Sequence, residues 1–383
     1  MLDVLLTGSV SFIITFLAIP AIMRIAEEKK LFDLPDGRKL HNTPIASLGG
    51  VGIFSGFFMA ALLSITLKVN PEFQYYFAAA LVVFILGLKD DIVVLTATKK
   101  FIGQLTAAAI LIHLANLRIT SMHGLFGLGE LPQAFSFALS YVTIILVINA
   151  FNLIDGVDGL AGMLGLLTTS VFGTYFFLIS MPAYALLSFA MAGSLLAFLI
   201  FNYNPAKIFM GDCGSLLLGL VNTILAIKFI TVADSSAVVL PIQSAVAVGV
   251  SVLIIPLLDT VRVFSIRIFH GRSPFSPDRN HIHHLLLDRG LGHKYVTLFC
   301  FLLNIVFITI AYFGRNLGPT YLLSLMMGLC LTFLGILIYS KKSTKFVIAK
   351  SKPLLANAKQ ITQPATKVVS INTETVTSVA EHN

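Results

Sequence analysis

The chain has 383 residues, 57% of them hydrophobic and only 11% charged, whereas soluble domains carry about 25% charged residues. That composition excludes an ordinary water-soluble fold and points to a bilayer. The net charge of +8 does not indicate nucleic acid, because the basic residues sit in short loops between apolar runs, where they serve membrane orientation.

A helix needs roughly 20 apolar residues to cross the hydrocarbon core. In chain order, eleven segments meet that description, at about 4–24, 48–67, 73–88, 101–117, 134–151, 160–180, 183–201, 214–231, 238–262, 295–314 and 319–340. The first lacks a basic flank and a small-residue cleavage site, so it reads as a retained helix and not a signal peptide. The third is short for a full span. The region 238–270 contains Pro241 and Pro256 and is expected to bend or break. No internal repeat is evident. Cys213, Cys300 and Cys330 show no paired spacing, so neither a disulfide framework nor a thiolate metal site is expected.

Charge orients these segments. With an outside N-terminus, all of the 26 Lys and Arg except Lys68, Arg118, Lys228 and Arg315 fall in cytosolic loops or the C-terminal tail. The expected fold is therefore an all-α polytopic membrane protein of about eleven transmembrane helices, N-terminus periplasmic and C-terminus cytosolic. Residues 1–344 form the membrane domain. Residues 345–383, rich in Lys, Thr, Ser, Ala and Val, read as a disordered cytosolic tail.

Four polar motifs fall on the cytosolic side. The first is Lys89-Asp90-Asp91, followed by Lys99, Lys100 and Gln104. Adjacent carboxylates at a membrane boundary repel each other, which a cation or a proton-accepting role would offset; a solvated helix end is the plainer reading. The second runs from Asn149 to Gly162, with Asn152, Asp155 and Asp158 recurring every third residue. On a helix that spacing puts them on one face, and Gly156, Gly159 and Gly162 would allow a close approach; a polar turn between two spans is the plainer reading. The third is Phe209-Met210-Gly211-Asp212-Cys213-Gly214-Ser215. Asp212 there either caps the following helix or holds a metal. The fourth contains Arg267, Asp278, Arg279, His281, His283 and His284 in a long loop. Zinc is one reading of its histidines, but no Cys or Glu stands nearby in a familiar zinc spacing. Histidines interleaved with arginines suit an anionic ligand such as a diphosphate or sugar better, and a basic loop touching lipid headgroups is the plainer alternative.

Together these acids come from three loops on one side, and hard oxygen ligands suit Mg²⁺ or Mn²⁺. A metal with Lys and Arg is equipment for moving a phosphoryl group. A cation-coupled transporter would also carry intramembrane acids, but near mid-bilayer and at repeat interfaces.

These motifs, across about residues 25–295, resemble the polyprenyl-phosphate N-acetylhexosamine-1-phosphate transferase family. Ser-Pro-Phe-Ser-Pro-Asp-Arg-Asn-His-Ile-His-His at 273–284 is similar to the branch using UDP-N-acetylglucosamine and undecaprenyl phosphate. The muramoyl-pentapeptide branch usually shows three consecutive histidines, which Ile282 interrupts here.

The resemblance implies roles. Asp212 would be the principal Mg²⁺ ligand, with Asn152 assisting. Phe209 would stack on uracil and Asp158 would help bind uridine. Lys100 and Arg279 would hold the diphosphate. Asp90 or Asp91 would deprotonate the lipid phosphate, or serve as a covalent nucleophile, and Asp155 would complete the acidic site. Arg267, His281, His283 and His284 would contact sugar and phosphate. The implied reaction is transfer of N-acetylglucosamine-1-phosphate to undecaprenyl phosphate with release of UMP, the first lipid-linked step of O-antigen or another surface polysaccharide. The implied setting is a bacterial inner membrane with the site facing the cytoplasm. Other UDP-N-acetylhexosamines and UDP-N-acetylmuramoyl-pentapeptide are the competing donors. The oligomeric state is open, a homodimer being compatible.

Overall fold

The computed structural model describes residues 1–29, 45–271 and 281–339. Among them are thirteen α-helices and no β-strand beyond isolated bridges. They are α1 (Leu2–Lys29), α2 (Gly49–Ser64), α3 (Glu72–Ile92), α4 (Ala97–Ala109), α5 (Gln133–Ile154), α6 (Leu160–Leu178), α7 (Pro182–Asn202), α8 (Gly211–Ala233), α9 (Ala245–Val252), α10 (Ile254–Phe269), α11 (Ile282–Leu287), α12 (His293–Phe313) and α13 (Pro319–Tyr339).

Each of the eleven expected segments coincides with a helix or a helix pair. Among the described residues, seven helices (α1, α5, α6, α7, α8, α12 and α13) are long and apolar enough to cross a membrane. The Pro-containing region is two helices, α9 and α10, bent by 82° at Leu253, and counting that pair as one span gives eight. The segment at 48–67 is a helix of only 16 residues, and that at 101–117 is α4 continued by a π-helical turn, Ile110–Leu114. The expected tail, 345–383, lies outside the described residues.

Helix α8 is the centre of the bundle. Its sequence is predominantly apolar, as a helix surrounded by other helices should be, and most of its residues are buried. It touches α2, α3, α5, α6, α7 and α9. In contrast, α1, α12 and α13 bury only a few of their residues and present Leu, Ile and Phe side chains outward. Because lipid tails are as apolar as these side chains, close helix contacts in a bilayer rely on small residues. Gly87 of α3 supplies one that matters to the site. A Cβ there would lie 2.5 Å from the Cys213 backbone at the start of α8. That approach brings the last turn of α3 onto the N-terminus of α8.

Candidate active site

The C-terminal ends of α3, α5 and α10 converge with the N-terminal ends of α4 and α8. At their meeting point Lys100 Nζ donates to Asp212 Oδ2 at 2.6 Å and pairs with Asp90. Asn152, in the last turn of α5, donates through Nδ2 to Asp212 Oδ1 (2.8 Å) and to Ser215 Oγ (2.9 Å). The Leu95 N–H, just beyond the end of α3, donates to Asp90 Oδ1 at 2.5 Å and fixes that carboxyl in the last turn of the helix. A cavity of about 330 Å³ opens beside the cluster, lined among others by Lys100, Gln104, Asn149, Asn152, Phe264 and Arg267. A buried amide pair, Gln104 with Asn149, ties α4 to α5 on its wall.

Asp91 has a different position from its neighbour. Its two oxygens accept the backbone N–H groups of Asp212 (2.7 Å) and Cys213 (3.0 Å). Asp91 therefore caps α8 from another helix, where the N–H groups have no intrahelical partner and the dipole favours negative charge. The cap of α8 is thus supplied by Asp91 and not by Asp212. The side chain of Asp212 is directed to Lys100 and Asn152 instead. Gly211 makes the arrangement possible. Its φ is +71°, and a Cβ would meet the Ser47 carbonyl at 2.2 Å and the Asp91 carboxylate at 2.8 Å.

The segment before α8 is also held by backbone. The Phe209 N–H donates to the Ala46 carbonyl (2.8 Å), and the Gly49 and Gly50 N–H groups donate to the carbonyls of Phe209 (2.9 Å) and Met210 (2.8 Å). The half-buried Phe209 is not among the residues lining the cavity.

The second motif is not one continuous helix, contrary to the helical reading of its three-residue period. Helix α5 ends at Ile154, and α6 starts at Leu160 after Gly159 at φ +74°. Asp155 terminates α5. Burial, followed by the charges of Asp212, Asp91 and Asp158, pushes its carboxyl well above the usual range. Asp158 turns the other way and is 4% exposed. Its Oδ2 accepts from Asn204 Nδ2 (2.9 Å) and the Ala206 N–H (3.2 Å), its Oδ1 lies 3.3 Å from His293 Nδ1, and its carbonyl accepts from Thr297 Oγ1. Asp158 thus joins the α5–α6 turn to the α7–α8 connection and to α12.

Burial tends to raise the Asp158 pKa, but hydrogen bonds from His293 and Asn204, the charge of His293 and the Ala206 N–H outweigh it and hold it at about 2. The sign follows from linkage. The folded value lies below the unfolded ~3.9, so this stabilisation is complete above pH ~4 and lost as pH falls to about 2. Asp158→Asn is expected to lose about 2 kcal/mol of stability, together with that part of the acid dependence. Thermal and acid unfolding in detergent would check both.

The histidines form a separate cluster. The rings of His281 and His283 stack at 5.1 Å, and His284 lies 4.5 Å from His283. His283 abuts the acidic turn so closely that a Cβ on Gly156 would sit 2.6 Å from its Nε2. Asp259 of α10, which no motif reading singled out, lies at the base of this cluster: Oδ2 is 2.9 Å from His281 Nδ1 and 3.6 Å from His283 Nδ1. Its signal in the sequence is a single acid in the apolar run Ile254-Ile-Pro-Leu-Leu-Asp-Thr. Arg267, 2% exposed, reaches the cavity from the same helix. Arg279 and Asp278 lie outside the described residues.

The structure thus brings Asp90, Lys100, Asn152 and Asp212 into direct contact, with Arg267 on the same cavity and Asp91, Asp155 and Asp158 in the surrounding turns. An ammonium between two carboxylates marks a place where a cation is favoured. The available donors are hard oxygens, namely Asp212, Asp90 and the amide oxygen of Asn152, a set that fits Mg²⁺ and offers nothing to a soft metal.

A cluster of carboxylates around Lys100 beside a cavity lined by Lys100 and Arg267, at the ends of membrane-length helices, is the kind of site a membrane enzyme acting on phosphate groups has. Residues 73–230 match the profile of Glycosyl transferase family 4. The chain is 32% identical over 347 residues to the decaprenyl-phosphate N-acetylglucosaminephosphotransferase of Mycobacterium leprae, covering 84% of this chain and 87% of that one. It is 31% identical over 345 residues to the undecaprenyl-phosphate alpha-N-acetylglucosaminyl 1-phosphate transferase of Yersinia pestis, covering 88% and 91%. The Salmonella typhi protein of that name is 29% identical over 288 residues, 74% of this chain and 76% of its own. The chain belongs to this glycosyl transferase family and is a phosphotransferase.

Proposed function

We propose that the protein transfers N-acetylglucosamine-1-phosphate from UDP-N-acetylglucosamine to undecaprenyl phosphate, releasing UMP and starting a lipid-linked surface polysaccharide such as O-antigen. The observation that carries this reading is the Asp90–Lys100–Asp212–Asn152 cluster at the mouth of the Arg267 cavity. The charge bias supports eleven crossings in a bacterial inner membrane, an outside N-terminus and a site facing the cytoplasm, where nucleotide sugars are available.

Each residue has a role in that reaction. Lys100 and Arg267 supply the positive charge that the diphosphate meets. Asp212 and Asn152 would hold Mg²⁺, assisted by Asp90. Bound there, Mg²⁺ would screen the diphosphate and stabilise departing UMP. Asp90 faces the site and is the base for a protonated lipid phosphate, whereas Asp91 is occupied as the α8 cap. A lipid-phosphate oxygen then forms a bond to the sugar-linked phosphorus, and the bond from that phosphorus to the oxygen of UMP breaks with its electron pair.

A panel of radiolabelled UDP-sugars, offered with undecaprenyl or decaprenyl phosphate in defined membranes, tests the proposal. Lipid-soluble label and UMP are expected from UDP-N-acetylglucosamine. Label from only another N-acetylhexosamine or from the muramoyl-pentapeptide nucleotide would overturn the donor assignment.

A further inference from the structure

The buried His–Asp cluster at the end of the bent pair is not used by the chemistry above. We infer that Asp259 is a positioning residue that fixes the ring and tautomer of His281 through the Asp259–His281 contact, so that Nε2 is left as the hydrogen-bond acceptor available to a hydroxyl or protonated phosphate oxygen of the substrate. This inference rests on the phosphosugar-transfer reading.

Asp259 is 0% exposed and accepts from two donors on the far side of the loop, His281 Nδ1 at 2.9 Å and the Ile282 N–H at 2.5 Å. A carboxylate only accepts, so the hydrogen of the first contact belongs to Nδ1. That leaves Nε2 as the nitrogen able to meet a ligand, as an acceptor when the ring is neutral and a donor when it is protonated. The Ile282 contact pins the backbone next to His281, so the ring is fixed at both its root and its edge. The same logic orients the histidine of hydrolytic triads and of many metal sites.

The neighbouring histidine cannot substitute. His283 is 2% exposed, its Nδ1 has no hydrogen-bond partner, and burial holds its pKa down at about 3, so it remains neutral. It acts as a spacer between His281 and the Gly156 turn, stacked on one and abutting the other. Three potential ligand atoms, from Asp259, His281 and His283, lie within 4.8 Å of one another. Both oxygens of Asp259 are nonetheless satisfied by protein donors, which favours orientation over metal binding.

The test uses the full chain in lipid nanodiscs, with Asp259→Asn, His281→Gln and the double variant. Asp259→Asn is expected to lower kcat for UMP release about 10- to 100-fold while KM for the UDP-sugar stays within about twofold. Adding Asp259→Asn to His281→Gln should cost nothing further. The ¹⁵N-histidine spectrum of the wild type, assigned by difference against His281→Gln, should show an Nδ1–H tautomer that Asp259→Asn loses. An unchanged kcat in Asp259→Asn, multiplicative losses in the double variant, or an Nε2–H tautomer for wild-type His281 would each overturn the inference. So would equimolar zinc in the purified wild type that disappears in Asp259→Asn, because Asp259 would then be a ligand. Failure of the wild type to release UMP would count against the phosphosugar reading instead, and the imidazole spectrum decides the tautomer either way.

Discussion

Asp212→Asn is expected to lower Mg²⁺-dependent UMP release by about 10³-fold and to leave a folded protein. The change is isosteric and removes one negative charge from the point where Lys100 and Asn152 converge. The fold should survive because the start of α8 is held by other groups. Asp91 caps its first N–H groups, and the pairing of 46–50 with 208–210 fixes the approach to it. Turnover near the wild-type rate would sink the metal assignment. A polydisperse or aggregated variant would show instead that Asp212 is part of the scaffold. Asp91→Asn makes the contrasting case. It should lower the unfolding midpoint, because one backbone N–H would then face an amide that cannot accept from it, a loss of about 1 kcal/mol.

These two neighbouring roles also show where sequence stops being informative. That Asp90, Asp91 and Asp212 belong together was legible, because adjacent carboxylates at a membrane boundary need a reason to be there. Their division of labour was not, since it depends on which way the last turn of α3 faces α8. That is set by the close approach at Gly87, a contact between residues 126 positions apart, Gly87 and Cys213. The period of three in Asn152, Asp155 and Asp158 was visible but misleading. A helix would have kept them near one face, whereas the chain leaves the helix at Asp155 and sends Asp158 toward Asn204 and His293. Gly156, Gly159 and Gly162 do mark close approaches, though in this structure the approaching groups are His283, Tyr203 and Leu199.

The helices themselves were easier to read, because apolar runs of the right length are a local property. The bend at Leu253 was anticipated from Pro241 and Pro256, yet its consequence was not. Turning α10 away from α9 carries Asp259 under the histidines and Arg267 to the cavity. Sequence distance hid this, since Asp259 and His281 are separated by 22 positions and a loop. The sequence of the histidine loop therefore gave no sign that the helix before it supplies the carboxylate its histidines meet.

Lys100→Met separates attraction for a metal from attraction for the diphosphate. In the wild type the ammonium sits between Asp90 and Asp212 and competes with any cation drawn to them. Removing it leaves two carboxylates facing each other, 9% and 24% exposed at the side chain, whose repulsion a divalent cation relieves. Binding of Mn²⁺ without nucleotide, followed by electron paramagnetic resonance, should therefore tighten by about tenfold, equivalent to about 1.4 kcal/mol. Turnover should move the other way and fall by about 10²-fold, because the charge that receives the diphosphate is gone. Lys100→Arg keeps the charge on a larger, planar group and should bind Mn²⁺ more nearly as the wild type does. A Lys100 that only braced α4 against α8 would weaken metal binding and turnover together when removed. Weaker Mn²⁺ binding in Lys100→Met would therefore reject the view that Lys100 and the metal share one electrostatic site, and opposite movement of the two measurements would establish it.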